Sequence, residues 1–353
     1  MPPSRSSTTR KRSTARRGDW LSGLTEQELL ALRMCDLKLR IEGTVLEHRV
    51  QRLHDDMARK GLRFRPHVWL SSEWFTPDGV PGIALPFYLA HPRLMRLEAR
   101  QMLRCEGAGE TECLRILRHE AGHCIDNAYQ LHRRKRWREL FGPYTRRYPQ
   151  HYQFQPHSRD HVLHLDAWYA QAHPAEDFAE TFAVWLAPGS KWRQRYKGWP
   201  ALRKLEYVDE LMRQIADQPP KVRSREKTEP LSQLRRTLRD HYRRKRMHYS
   251  DEFPDVYDSD LFRLFSDDPR YRSRPTAAKF LRTIRKDLRT IVAEWTGTHP
   301  YTIDQVLSDM IDRCKELNLR LARPQRTARQ EAMIMVTVQT MNFLQQGNHQ
   351  VPL

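Results

Sequence analysis

With 353 residues and five scattered cysteines, the chain can bury a core without cross-links, and the lack of a Cys-x-x-Cys pair argues against a disulfide framework and a zinc ribbon. A net charge of +19 favours a polyanionic partner, either nucleic acid or an acidic protein, and fits a role in solubility alone equally well. Without an apolar run of membrane-spanning length or a signal peptide, the sequence predicts a soluble protein of the cytoplasm.

The first predicted elements are a tail and a long helix. Residues 1–18 are rich in Ser, Thr and Arg and have almost nothing to bury, which predicts a disordered basic tail. From Leu24 to Leu53 the leucines are dense enough for one continuous helix. Thr25 and Glu28 have the spacing of a capping box, so we expect this helix to start at Thr25.

Two extended segments follow Gly61 and predict a small sheet. The segments are RFRPHVWL and GIALPFYLA, separated by a turn at residues 76–79. Pro86 cannot donate a hydrogen bond to a neighbouring strand. The second strand should therefore lie at an edge of the sheet or break at Pro86.

Two later helices carry most of the polar residues of interest. The first is predicted from about Glu112 past Leu131 and contains the sequence RHEAGHCID. Irregular sequence rich in His, Tyr, Arg and Pro follows. The second helix is HPAEDFAETFAVWLAPG, in which Pro174 suits the first turn and Pro188 with Gly189 ends the helix.

The composition changes near Asp217 and predicts a second domain. A strongly basic segment, LRRTLRDHYRRKRM, is followed by three amphipathic stripes that begin at Phe280, Ile303 and Glu331. We therefore expect a first domain at residues 19–217 and a basic, mainly helical region at 218–353. No sequence feature indicates the role of that region or the oligomeric state.

The pattern His-Glu-x-x-His in the first of these helices is typical of a metal site. Residues four apart on a helix share a face, so His119 and His123 can bind one Zn²⁺ ion at about 2.0–2.1 Å. Glu120 beside them can then take a proton from a zinc-bound water, whose pKa the ion lowers to about 7. The alternative is a helix with two histidines and no metal, so a third ligand decides between them.

A third ligand is sought first in the sequence that follows His123. A metzincin would have Gly and His where this chain has Asp126 and Tyr129, so that pattern fails. Glu176 and Glu180 lie four apart on the second helix, where two like charges need a positive partner. Glu176 as a zinc ligand, with Glu180 hydrogen-bonded to the free N–H of a ligating histidine, meets that need. Taken alone, the same acids also fit an acidic first turn that complements the helix dipole.

Three segments resemble the putative zinc-binding metallopeptidases of bacteria. They are RHEAGH, RELFG and, most specifically, YAQAHPAEDFAETFAVWL. The resemblance covers about residues 80–190. A His-Glu-x-x-His pattern followed by Glu-x-x-x-Glu is also similar to the gluzincins, in which a glutamate on a following helix is the third ligand.

This resemblance implies an α+β, zincin-like domain with a small mixed sheet, an active-site helix and a glutamate helix. An extended substrate is then expected to pair with an edge strand around residues 82–87. In the lethal-factor type of gluzincin a tyrosine seven residues before the glutamate ligand assists catalysis, and Tyr169 stands at that distance from Glu176. Tyr169, or a histidine at residues 157–173, would stabilise the oxyanion; packing is the alternative role for Tyr169.

The chain departs from the resemblance at both ends. Such relatives often begin with a cysteine-based zinc ribbon, where this chain has a basic tail, and the region after about Asp217 lies outside the resemblance. The leading hypothesis is a zinc-dependent peptidase with Glu120 as general base, acting on a peptide or protein. One rival is a catalytically inert, zinc-containing interaction protein that binds nucleic acid or an acidic partner. Another, supported by charge alone, is a metalloprotease that acts on DNA-bound proteins.

Overall fold

Helices dominate the computed structural model, which describes residues 20–149, 151–249, 257–344 and 349–350. The predicted basic tail at residues 1–18 lies outside these ranges. The described α-helices are α1 (Glu26–Ala31), α2 (Val45–Arg59), α3 (Pro92–Gln101), α4 (Glu110–Tyr129), α5 (Lys135–Phe141), α6 (Pro174–Leu186), α7 (Trp192–Arg195), α8 (Ala201–Ile215), α9 (Leu238–His248), α10 (Asp258–Leu264), α11 (Ala277–Thr296), α12 (Pro300–Glu316) and α13 (Gln325–Phe343). None of them is both long and apolar enough to cross a membrane.

The described strands are short and pair in twos. They are β1 (His67–Ser71), β2 (Gly82–Pro86), β3 (His151–Tyr152), β4 (Phe265–Ser266), β5 (Arg320–Leu321) and β6 (His349–Gln350). Strand β1 pairs parallel with β2, whereas β3 pairs with β6 and β4 with β5 in antiparallel fashion. The chain is thus a mixed, mainly helical structure with small sheets.

Strand β2 ends where the proline requires and is covered on all sides. It stops at Pro86 and continues as a 3-10 helix at Phe87–Ala90, which confirms the predicted break. All five of its residues are buried, and the Ala84 N–H donates to the Phe75 carbonyl at 2.9 Å. The expectation that substrate pairs with residues 82–87 does not fit this structure, because the strand is buried, β1 pairs with one of its edges and Phe75 pairs with Ala84 on the other.

The predicted helix from Leu24 to Leu53 is in fact two helices. The capping box of Thr25 and Glu28 starts α1 as expected, but the chain turns extended at Leu32. Residues 32–35 pair instead with residues 234–238, and Thr44 caps the start of α2. The prediction of one continuous helix is wrong because it rests on the spacing of the leucines. That spacing contains no information about the pairing of residues 32–35 with residues 234–238, which lie far along the chain.

Buried apolar side chains form two large cores among the described residues. The first draws residues from Leu21 to Tyr242, and the second draws residues from Tyr257 to Val336. Helices α11, α12 and α13 pack together in the second core. A domain boundary between residues 217 and 218 remains a prediction.

The basic segment at residues 234–247 has an internal structural role through one lysine. Lys245 on α9 is buried, and its ammonium group donates to Glu73 Oε2 at 2.7 Å and to Glu98 Oε1 at 2.9 Å. A buried charge needs such compensation. The sequence reading of this segment as a surface for polyanions therefore does not hold for Lys245.

Candidate metal centre

Helix α4 places His119, Glu120 and His123 in the wall of a cavity of about 490 Å³. The rest of the helix is tied to the core by buried side chains such as Leu117, Cys124 and Ile125. This burial fixes the rotation of the helix about its axis. The two histidines consequently face the cavity from successive turns of the helix.

Helix α6 packs against α4 at unusually close range. A Cβ atom built at Gly122 would lie 2.7 Å from Ala179 Cα, so only glycine fits there without displacing backbone. At the start of α6, Pro174 occupies the first turn and His173 Nδ1 accepts from the Ala175 N–H at 3.1 Å. The close contact brings Glu176 next to the two histidines of α4.

Three ligand atoms from these two helices face one point. His119 Nε2 and His123 Nε2 are 3.1 Å apart, and Glu176 Oε2 lies 3.0 Å from the first and 3.3 Å from the second. Ligands at about 2.0–2.1 Å from a tetrahedral zinc ion lie about 3.3 Å from one another. The donor set and its spacing therefore fit a zinc ion, and His119, His123 and Glu176 could hold one.

Glu180 lies behind this cluster and orients His119. The Nδ1–H of His119 donates to Glu180 Oε1 at 2.8 Å, while Glu180 Oε2 accepts from the Leu165 N–H at 2.8 Å. With Nδ1 protonated, His119 Nε2 is left as a lone-pair donor toward the point shared with Glu176. This is the geometry that the sequence analysis expected for Glu180.

The electrostatics of the cluster favour a positive charge at its centre. Burial disfavours an ionised Glu176, yet the facing His123 and His119 hold the pKa of its carboxyl group well below the usual value. Burial likewise disfavours a charged His119, but hydrogen bonds to Glu176 and Glu180 keep its pKa well above the usual value. Two buried carboxylates therefore face the imidazoles, and protons on the histidines balance their charge when no metal is bound. A bound cation would take the place of these protons and leave His119 Nε2 and His123 Nε2 as donors.

Glu120 lines the same cavity without joining the ligand cluster. Its side chain is 7% exposed, and the Thr76 hydroxyl donates to Glu120 Oε2 at 2.8 Å. Thr76 belongs to the segment at residues 74–76, which lines the cavity, whereas residues 82–87, the expected substrate-pairing strand, do not. A carboxylate held in this way beside a ligand cluster can accept a proton from a nearby water.

Two of the tyrosines that line the cavity lie beside the candidate ligands. The Tyr169 ring lies 5.6 Å from the His119 ring, and burial raises the Tyr169 pKa well above 10, so its hydroxyl stays protonated. The Tyr148 hydroxyl donates to Glu176 Oε1 at 2.6 Å while its ring stacks on His173 at 3.8 Å. The sequence gives no signal for Tyr148, because this residue lies in an irregular segment with no fixed spacing to the motif.

Other residues of the motif region point elsewhere. Asp177 Oδ2 accepts from Lys204 Nζ at 2.6 Å, away from the ligand cluster. None of the histidines at residues 157–173 is among the described residues that line the cavity. His164 binds the Arg115 carbonyl at 3.0 Å and His173 binds the Arg146 carbonyl at 2.7 Å. These positions do not favour the suggestion that one of these histidines serves the oxyanion.

The C-terminal region contributes to the cavity wall, which the sequence did not indicate. Tyr249, residues 297–299, Thr302 and Leu344 all line the cavity. The His299 ring stacks on Tyr249 at 4.1 Å, and the Thr302 hydroxyl donates to the Tyr249 carbonyl at 2.8 Å. Residues on both sides of position 217 thus shape the space in front of the ligands.

Comparison with known proteins identifies one similarity. Residues 110–189 match the sequence model of a family described as "Putative zinc-binding metallo-peptidase". The matched segment begins at the start of α4 and extends beyond α6, so it includes both helices that carry the ligand cluster. The chain has no significant match among curated proteins or solved structures. The similarity supports a metallopeptidase at the level of the family description.

Proposed function

We propose that this chain is a zinc-dependent metallopeptidase of the gluzincin type that hydrolyses bonds in a peptide or protein substrate. The observation that carries the proposal is the cluster of His119, His123 and Glu176 beside Glu120 in one cavity. The family match over residues 110–189 supports the coarser class. The His-Glu-x-x-His motif and Glu176 on a following helix favour the gluzincin type.

In this proposal His119, His123 and Glu176 hold Zn²⁺. When bound, zinc lowers the pKa of water to about 7 and polarises a carbonyl oxygen. Glu180 holds the His119 tautomer that leaves Nε2 free to bind. Tyr148 binds Glu176 Oε1, which reserves Oε2 for the metal, so we assign Tyr148 a positioning role.

Glu120 is the general base. Thr76 occupies Glu120 Oε2, so we assign proton transfer to Oε1. Glu120 takes the proton of the attacking water and returns it to the nitrogen of the departing amine. Loss of a positioned acid–base group costs about 10²- to 10⁴-fold in rate.

Tyr169 is the proposed donor to the oxyanion. Its hydroxyl is protonated at neutral pH and lies in the cavity wall near His119. Removing a single oxyanion donor typically lowers kcat by about 10²- to 10³-fold. The Tyr169→Phe variant should therefore lose kcat and keep its zinc, whereas Tyr148→Phe should bind zinc more weakly.

The rival function is an inert zinc-containing interaction protein. Such a protein needs the three ligands, but it has no use for an acid that does not bind the metal. The 2.8 Å hydrogen bond that fixes Glu120 to Thr76 favours catalysis over this rival.

The test compares the wild type with Glu120→Gln. Both proteins are loaded with zinc, assayed for metal content and incubated with a mixed peptide library that is read by mass spectrometry. Equal zinc content with cleavage only by the wild type supports the proposal. Equal cleavage by both proteins, or zinc binding without cleavage by either, contradicts it. Glu139→Gln, an exposed acid on α5, is the matched control and should cleave like the wild type.

A further inference from the structure

Among the described residues, one acidic side chain of the cavity wall, Glu106, has no hydrogen-bond or salt-bridge partner. Glu106 lies in the loop between α3 and α4 and lines the cavity. Its neighbour Glu112 accepts from Arg104 at 2.6 Å and from the Gly107 N–H at 3.0 Å. Within the part of the chain that the structure describes, the Glu106 carboxylate makes no hydrogen bond or salt bridge. It is therefore available to a ligand.

The loop that carries Glu106 is held firmly in place. Arg49 donates to the Gly107 carbonyl at 2.8 Å and to the Ala108 carbonyl at 2.7 Å. Gly107 has a φ of +72°, and a Cβ atom there would lie 3.1 Å from the Trp74 ring. A fixed backbone preorganises Glu106 for binding.

The charge of Glu106 is not compensated locally. Burial raises the pKa of its carboxyl group, and the nearby Glu112 and Glu98 raise this pKa further. The attraction of Arg104 and Lys245 lowers it, but the net shift is upward. Both cations are already bound to other carboxylates. Glu106 therefore presents a carboxyl group inside the cavity that a cationic ligand would stabilise in its ionised form.

An independent feature of the same cavity also indicates a polar ligand. Trp74 Nε1 and Thr298 Oγ1 have no hydrogen-bond partner within the described ranges, although their residues are only 5% and 8% exposed. Both residues line the cavity. Buried polar groups without a partner are rare in proteins, and a bound ligand is one way to satisfy them.

The aromatic residues that share this cavity with Glu106 suit a cation in particular. Trp74 touches the loop at Gly107, and Tyr249 with the stacked His299 also lines the cavity. A carboxylate combined with aromatic rings binds ammonium and guanidinium groups.

We propose that Glu106, with Trp74 and Tyr249, binds a cationic group of the substrate, so that the enzyme selects peptides with a Lys or Arg side chain or a free amino terminus. This inference rests on the proposed function for the presence of a peptide in the cavity. Glu106 is then a specificity-determining residue.

The test measures binding, so that it does not depend on turnover. Full-length, zinc-loaded Glu120→Gln protein is titrated with three libraries of eight-residue amidated peptides whose random positions exclude charged residues. The first library is acetylated and has a central Lys, the second is acetylated and has a central norleucine, and the third has a free amino terminus and a central norleucine. Each titration is repeated with Glu106→Gln, Glu106→Asp and Glu110→Gln added to Glu120→Gln.

We expect the first or the third library to bind about tenfold or more tightly than the second. Which of the two does so identifies the cation as a side chain or as an amino terminus. Glu106→Gln should abolish the preference, and Glu106→Asp should retain part of it. Glu110→Gln should leave it intact, because Glu110 is exposed and pairs with Arg52 outside the cavity. Equal binding of all three libraries, no binding at all, or a preference that survives Glu106→Gln overturns the inference.

Cleavage by the wild type separates this inference from the proposed function. Cleavage without any cation preference would leave the peptidase standing and remove the role of Glu106. A Glu106-dependent binding preference in a protein that cleaves nothing would support the role of Glu106 as a cation-binding residue and contradict the proposed peptidase activity.

Discussion

Substitution of Gly122 by alanine tests whether the metal centre depends on the close packing of α4 and α6. A Cβ atom at this position would lie 2.7 Å from Ala179 Cα and 3.1 Å from the Ala179 carbonyl oxygen. Carbon atoms in contact normally lie about 3.5–4.0 Å apart, so the two helices must separate by roughly 1 Å. Overpacking of this kind costs about 1–3 kcal/mol in the free energy of unfolding.

The same displacement should weaken metal binding. His119 and Glu176 approach each other across this helix interface, with 3.0 Å between Nε2 and Oε2. Zinc–ligand distances vary by only about 0.2 Å, so a shift of roughly 1 Å removes one ligand from its position. We expect zinc affinity to fall on the order of 10- to 100-fold, which is the loss seen when a residue that orients a metal ligand is removed.

Two measurements check this prediction. Urea unfolding of the metal-free protein gives the change in stability, and competition with a chelator gives the zinc affinity. Gly23→Ala is the control, because a Cβ atom there meets nothing within 4 Å. Unchanged stability and zinc affinity in Gly122→Ala would refute the packing argument.

Three further predictions follow from other buried contacts. Glu180→Gln removes the carboxylate that supports His119 and should lower zinc affinity by about tenfold in a chelator competition; an unchanged affinity would remove Glu180 from the account. Lys245→Met leaves two buried carboxylates without their cation and should cost about 3–5 kcal/mol in urea unfolding, whereas Lys135→Met, at an exposed position, should cost almost nothing. Burial, together with nearby cations, lowers the pKa of His299 to about 3. Below pH 6.5 the unfolded chain binds a proton at this ring and the folded protein does not, so the free energy of unfolding is highest above pH 6.5 and decreases as the pH falls toward 3. His299→Asn, which can still cap α12, should flatten the loss of stability measured between pH 6.5 and 4, and an unaltered slope would contradict this.

The helices that carry the ligands could be predicted because their signals are local. Helix α6 has a proline in its first turn and apolar residues along its length, and α4 carries His119 and His123 four residues apart. Local periodicity and capping favour such elements, and here no distant contact interrupts them. Glu176 could be proposed as the third ligand because its helix also carries a second acid, and two like charges need a positive partner.

The features that escaped prediction depend on contacts between distant parts of the chain. The first helix breaks because residues 32–35 pair with residues 234–238. Tyr148 reaches Glu176 from irregular sequence, and Lys245 is buried within a run of cations that looks solvent-exposed. No spacing or composition encodes these approaches, so only the folded structure reveals them.

The central claim is that His119, His123 and Glu176 hold one zinc ion. Anomalous diffraction at the zinc edge from crystals of the zinc-loaded protein tests it most directly. The account predicts one strong peak about 2.0–2.2 Å from His119 Nε2, His123 Nε2 and a Glu176 carboxylate oxygen. No peak at these residues, or a peak coordinated by other side chains, would contradict the claim.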